Sequence, residues 1–322
     1  MTHISHTTGA PAAASAGAAA AVPVIDYEGS GYKTEFWAGQ GRDYEDATER
    51  LALGSLLPPT GRRIAEIGAG FGRLADLYRG YTQIVLMDYS RTLLQDAVQH
   101  WGHDPRFVFV AGNIYQLPLA TGVLDSLVMV RVMHHLADVP AALVQLRRAM
   151  HSSSTGVIEY ANKRNLKALV RWAARKQAWS PLDEAPVEFV KLNYDFHPAW
   201  MEQQLREAGL LVRRQYAVSH FRAGAIKQRV GAQRLARIDA ALFNVGGRYP
   251  LAPSVFVQLQ SPASGPAAAA GAAPEEVAQL FACPECSHEG MERVAADQVR
   301  CRACGASYAR QQQIWDFKDR LE

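Results

Sequence analysis

Between residues 63 and 162 the chain switches repeatedly between two periods, and that alternation restricts the fold more than any other feature. "RIAEIG", "QIVLMD", "RFVFVAGN", "DSLVMVRV" and "TGVIEYAN" are apolar along most of their length, as strands covered on both faces must be. "GRLADLYRG", "RTLLQDAVQHW" and "PAALVQLRRAM" lie between them with helical spacing. The pattern predicts a parallel sheet with helices on both faces, a doubly wound α/β domain. "LVRRQYAVS" and "SVFVQLQ" add two strands further on. Ahead of the alternation, Ala47, Leu51 and the Leu56–Leu57 pair recur at helical spacing, and prolines 58 and 59 stop that helix.

The remaining segments divide the chain. Residues 1–24 read as a disordered low-complexity leader, since they lack the basic start and Leu-rich centre of a secretory signal. A catalytic-sized domain is expected over 25–260, interrupted by helical, basic insertions at about 163–197 and 222–247 that read as lids. "SPASGPAAAAGAAPEE", 261–276, has no core-forming residue and predicts a flexible linker to a small unit at 277–322. On that reading the small unit is separately linked, and removing 261–322 leaves the ligand site of the larger domain intact.

With 48% hydrophobic and 20% charged residues the chain can build a large core. The formal net charge of +3 names neither nucleic acid nor membrane as partner, although local clusters can still act. The most apolar run, "VLDSLVMVRV", is far short of a membrane span and carries Asp125 and Arg131, so no membrane partner is expected.

"RRIAEIGAGFGRL" places three glycines, spaced G-x-G-x-G, where the first strand ends and a crevice opens. Arg73 stands where a dinucleotide fingerprint has its third glycine. Glu66, two residues before the first glycine, suits an ammonium group better than a pyrophosphate. Asp88, closing "VLMDYS", is placed to accept hydrogen bonds from both hydroxyls of a ribose. These groups suit a ribose but not a pyrophosphate, which argues against a nicotinamide dinucleotide.

In order and spacing, "EIGAGFG", "VLMDYS", "VAGNIYQLPL" and "LDSLVMVRVMHHL" resemble the class I S-adenosylmethionine-dependent methyltransferases, particularly their small-molecule branch, across residues 60 to 160. The resemblance implies a Rossmann-like seven-stranded sheet. It implies that Glu66, Gly68, Ala69 and Gly70 line the methionine moiety, Asp88 the ribose, Tyr89, Asn113 and Ile114 the adenine, and that Arg131 sits near the reacting methyl. Displacement at an activated methyl requires alignment first and a base only if the acceptor must lose a proton. His134 and His135, after the fourth strand, are the weak candidates for that base. Tyr44, Tyr160, Asn162, Asn193 and His197 are the polar or aromatic groups expected around the acceptor. A small-molecule acceptor is the leading expectation. An RNA or protein acceptor gripped by the basic insertions is the alternative, and non-catalytic use of the fold for ligand binding is a third.

All the cysteines, Cys283, Cys286, Cys301 and Cys304, form two C-x-x-C knuckles separated by 14 residues. That spacing predicts a tetrahedral structural zinc site with no open position for chemistry. Metal rather than disulfide also points to a reducing, cytoplasmic setting. The segment resembles the small zinc-ribbon family that partners and activates tRNA, rRNA and protein methyltransferases. There the second knuckle is followed by an aromatic residue and a short apolar strand, matched by Tyr308 and by Ile314, Trp315, Asp316 and Phe317.

Overall fold

The computed structural model describes residues 22–30, 41–262 and 277–322. Most of the leader and of the linker lies outside the described residues. Helix α1 (Asp43–Leu56) precedes β1 (Gly61–Ile67), β2 (Tyr81–Asp88), α2 (Arg91–Trp101), β3 (Phe107–Ala111), β4 (Leu124–Met129), α3 (Val139–Ala149) and β5 (Met150–Ala161). Then come α4 (Leu166–Ala173), a hairpin of β6 (Val187–Val190) and β7 (Asn193–Asp195), α5 (Pro198–Glu207), β8 (Leu211–Val218), α6 (Gly224–Val230), α7 (Ala232–Arg248) and β9 (Ser254–Gln260). The C-terminal unit contributes β10 (Met291–Ala295), β11 (Gln298–Cys301), β12 (Ser307–Gln311) and β13 (Ile314–Leu321).

The main sheet runs β3-β2-β1-β4-β5-β9-β8 through the α/β part. Strands β1 to β5 pair in parallel, and β9 is antiparallel to both β5 and β8. Strand order therefore reverses between β1 and β4, which opens a crevice at their carboxyl ends. The wholly apolar strands are buried on both faces, each face carrying its own core cluster.

Two local readings change. "GRLADLYRG" is not a helix: it forms only a short 3-10 turn, Ala75–Tyr78, closed by i to i+3 bonds such as Leu77 N to Leu74 O. Gly72, at φ +74°, holds the backbone in a region a helix does not use. The first insertion is helical only over α4, after which the chain forms the β6–β7 hairpin.

The larger difference concerns the C-terminal unit. β13 pairs in parallel with β3, Ile314 opposite Phe109 and Trp315 opposite Val110, so the four ribbon strands extend one sheet to eleven. Phe281, Tyr308, Trp315 and Phe317 belong to the same buried cluster as Val110, Leu117 and Leu119. Ala120 N donates to Leu280 O at 2.9 Å and Thr121 N to Glu289 Oε1 at 2.9 Å, stitching the seam. The unpaired edge that β3 would otherwise present is covered.

Candidate active site

At the end of β1 the chain turns through Gly68 (φ +75°) and Gly70 (φ +54°). A Cβ on Gly68 would lie 2.1 Å from Val132 Cγ2, so a side chain there would have to displace Val132 as well as bear the strain of the positive φ. Gly68 N and Ala69 N both donate to Met87 O, and Gly70 N donates to Asp88 Oδ2 at 2.7 Å. Asp88 Oδ1 accepts from Ser90 N at 2.9 Å, and Ser90 caps α2 by accepting from Leu93 N. The glycine turn and the end of β2 are thus locked to each other. Burial pushes the Asp88 carboxyl up, against the pull of these amides and of Lys318.

Gly68, Gly70, Asp88, Tyr89, Ile114, Arg131 and His135 line one cavity. Glu66, Ala69, Gly70 and Arg131 line a second, adjoining one that shares the turn. Asn113 lines neither: its Oδ1 accepts from Tyr115 N at 2.9 Å, capping the turn that presents Ile114. Glu66 is buried, and its Oε2 has no hydrogen-bond partner among the described residues. Burial pushes this carboxyl up to about 7 against the pull of the Tyr78 hydroxyl and Arg73, and a bound cation would draw it down again.

Arg131 has a positive φ of 61°, unusual for a side chain of its size, and Glu159 Oε2 fixes that turn by accepting its N–H at 2.9 Å. Its guanidinium donates to Glu49 Oε1 at 2.5 Å, and Arg73 meets the other Glu49 oxygen at 2.7 Å. Burial works against ionisation of Glu49, yet these two guanidinium groups hold it below the usual range. Arg73, in the position of the missing third glycine, therefore ties α1 to the turn. Nothing in the pattern around Glu49 or Glu159 marked them beforehand.

The two histidines separate cleanly. His135 Nδ1 lies 3.1 Å from Leu192 O and its Nε2 3.1 Å from the Tyr27 hydroxyl. Since a carbonyl only accepts, Nδ1 carries the proton and Nε2 accepts from Tyr27. Both nitrogens are engaged. His134 makes no hydrogen bond among the described residues; burial first, then the charges of His135, Arg131 and Arg222, push it well below its ordinary value. Burial thus favours its neutral form and makes it a weak base, and it lines neither cavity.

The five residues expected around the acceptor line neither cavity. Tyr44 is buried, its hydroxyl accepting from Phe221 N at 3.0 Å. Asn162 donates to Pro250 O and Ala252 O, and His197 caps α5 by accepting from Ala199 N. Tyr160 packs in the core, and Asn193 donates to Lys191 O in the hairpin turn. Buried polar groups must find partners, and Tyr44, Asn162 and His197 find backbone, as does the more exposed Asn193.

One wall, and the groups that back it, come from parts of the chain that the motifs do not reach. Val24, Ile25 and Tyr27 lie across the first cavity as a strap. Glu28 fastens it to α2, accepting from Arg91 N at 2.8 Å and from Thr92 N at 3.0 Å. From the ribbon, Lys318 Nζ sits 3.9 Å from the centroid of the Tyr89 ring, 3.8 Å from Asp26 and 3.9 Å from Glu28. Arg91 Nε reaches back to Asp316 at 2.6 Å.

The four cysteine sulfurs lie within 4.8 Å of one another, with Cys283–Cys304 and Cys286–Cys301 both at 3.6 Å. A disulfide would need about 2 Å. A tetrahedron with metal–sulfur bonds of about 2.3 Å has edges of about 3.8 Å, so the donor set suits a tetrahedral thiolate centre.

Residues 65–158 match the family model described as a methyltransferase domain. The chain thus carries a domain of the S-adenosylmethionine-dependent methyltransferase class, set in a Rossmann-like sheet. Among curated proteins it is similar to the malonyl-[acyl-carrier protein] O-methyltransferase of Legionella pneumophila subsp. pneumophila, 29% identical over 134 residues, 40% of this chain and 46% of that one. The chain therefore spans just under half the length of that relative. Among solved structures it is similar to the complex containing the Haloferax volcanii Trm112 methyltransferase activator (19% identity, TM-score 0.49, 70% of this chain and 96% of that one). It is also similar to an S-adenosylmethionine-dependent methyltransferase from Mesorhizobium loti (18% identity, TM-score 0.48, 67% and 99%).

Proposed function

We propose that this protein transfers a methyl group from S-adenosylmethionine to a small-molecule acceptor. The observation that carries the reading is the buried, unpartnered Glu66 oxygen beside a glycine turn whose neighbouring cavity is lined by Asp88 and Tyr89. Glu66 would take the ammonium of the methionine moiety, Asp88 the ribose through its remaining lone pairs, and Tyr89 with Ile114 the flat adenine. When bound, the cofactor supplies a methyl group already activated on a sulfonium, so the chain's own task is alignment and exclusion of water. Val24, Ile25 and Tyr27 enclose part of the first cavity, and His135 joins that strap to the Leu192 turn. That enclosure favours a small acceptor over a polymer. His134, next to the cavity-lining His135 and with no hydrogen bond of its own among the described residues, is the candidate to take a proton from it, although burial makes it a weak base.

The four cysteines would hold zinc, filled by thiolates and so structural in role. Calorimetry with S-adenosylhomocysteine tests the cofactor assignment: Asp88→Ala should weaken binding by about 1–3 kcal/mol, for the lost ribose hydrogen bonds. Unchanged affinity would show that a different ligand belongs there. Labelled S-adenosylmethionine incubated with cell lysate, followed by separation of small molecules, RNA and protein, tests the acceptor class.

A further inference from the structure

The outer surfaces of the two insertions are apolar and positively charged together. In α7, Leu235, Asp239 and Phe243 are buried, and Gly247 packs against the Gln215 backbone of β8. At 100° per residue, Ile238, Leu242 and Val245 fall along one flank of that buried side, and the stripe runs on to Tyr249. Val245 is 71% and Tyr249 65% exposed. Arg234, Arg237 and Arg248 form a parallel stripe next to it. The chain continues to Leu251, whose carbonyl accepts from Leu166 N at 2.8 Å and so brings α4 alongside. That helix is turned inside out. It buries Ala168, while Leu166 (58%) and Val170 (60%) face solvent, flanked by Lys167, Arg171 and the half-exposed Trp172.

The charge has one sign. From Lys163 to Leu182 there is no acidic residue, and from Phe221 to Leu251 there is only Asp239. Asp239 is fully buried and accepts from Ser219 N and His220. No ion pair among the described residues neutralises Arg234, Arg237, Arg248, Lys167 or Arg171. A chain whose net charge is only +3 has thus concentrated unpaired cations beside exposed aliphatic side chains. Cations alone would suit any polyanion. The aliphatic stripe decides among them, since nucleic acid offers nothing to bury Val245, Ile238 or Val170, whereas the headgroup and acyl boundary of an anionic bilayer accommodates both. Aromatic residues with one polar end, such as Trp172 and Tyr249, favour the same boundary.

We propose that α4 and α7 together form a docking face for anionic lipid bilayers. No described helix is long and apolar enough to cross a membrane, so the docking is peripheral. Both insertions leave and rejoin the sheet at its carboxyl edge, near the Ala161–Ser254 pairing, which is the edge where the ligand cavities open. The face thereby presents that edge to the bilayer.

Co-sedimentation of the full chain with phosphatidylcholine vesicles, and with phosphatidylcholine–phosphatidylglycerol vesicles, tests this. Binding should be confined to the anionic vesicles. The double variants Val245→Glu/Tyr249→Glu and Arg234→Glu/Arg237→Glu should each weaken it by about tenfold or more. Affinity for S-adenosylhomocysteine should stay unchanged in both, because the residues are exposed and away from the cavities. Absence of vesicle binding would overturn the proposal, as would equal binding to neutral vesicles. Two further outcomes would replace it: loss of a dimer in light scattering on Val245→Glu/Tyr249→Glu, with vesicle binding unaffected, means the stripe pairs copies of the chain. Binding of single-stranded RNA by the wild type, abolished by Arg234→Glu/Arg237→Glu while vesicles are not bound at all, means the cations grip nucleic acid.

Discussion

Trp315→Ala asks whether the ribbon and the α/β domain are one cooperative unit. Trp315 is 3% exposed, sits opposite Val110 across the β13–β3 seam, and has its ring centroid 5.6 Å from that of Phe281. Truncating a buried aromatic to alanine typically costs about 3–5 kcal/mol, as transfer loss plus cavity. Near-complete burial and an adjoining β-ladder, which limits collapse, place this site toward the upper half of that range. At about 2–4 °C per kcal/mol for a chain of this order of size, the melting temperature should fall by on the order of 10 °C. The assay follows far-UV circular dichroism, dominated by the helices of the α/β part, and zinc release to a chromogenic chelator in the same thermal ramp. Both probes should move together in the variant. If only zinc release moves and the circular dichroism transition stays in place, the seam does not couple the two parts and the reasoning fails.

Further outcomes follow from the site. Lys318→Met removes the cation from the Tyr89 ring and from Asp26 and Glu28, and should weaken S-adenosylhomocysteine binding several-fold, with lower sensitivity to salt than the wild type, by calorimetry; an aromatic–cation contact of this kind is worth about 0.5–2 kcal/mol. Glu66, pushed up to about 7 by burial, must be ionised to hold an ammonium. Binding therefore expels a proton below that pH: affinity should be level above pH 7 and fall by up to about tenfold per unit below it, and Glu66→Gln should flatten the profile. If the acceptor loses its proton in the transition state, His134→Ala should lower kcat by about 10²–10⁴ without changing cofactor affinity; equal loss in cofactor affinity would make His134 a packing residue.

The strands of the sheet were legible because each is long enough for its period to show, from "QIVLMD" to "TGVIEYAN", and because the glycine turn and Asp88 sit at strand ends where a local pattern suffices. The two cysteine knuckles were legible for the same reason: ligand spacing is a short-range signal. The seam was not. It joins Phe109–Ala111 to Ile314–Asp316, some two hundred residues apart, and the apolar side chains of β13 satisfy a reading in which they form the ribbon's own core. Asn162 and His197 misled in another way. A polar residue just past a strand can face a ligand or satisfy nearby backbone, and composition does not distinguish the two; burial does, since a buried polar group without a partner costs about 1–3 kcal/mol.

Three separate regions of the chain meet at Tyr89 and the start of α2. The strap reaches it through Glu28, whose carboxylate accepts from the Arg91 and Thr92 amides; β13 reaches it through Lys318 and through Asp316 on the Arg91 side chain. Asp88, one residue before Tyr89, holds the glycine turn by Gly70 N. A shift of β13 therefore cannot leave the strap and α2 undisturbed, because the same two side chains, Lys318 and Arg91, connect all of them. The C-terminal cysteines fix β11 and the loops around it, β11 pairs with β12, and β12 with β13. A hydrogen-bonded path thus runs from the cysteine cluster to the start of α2, beside the cavity that Tyr89 lines. A metal held by the four cysteines would, through that path, help to shape the site proposed for the cofactor while standing apart from the chemistry.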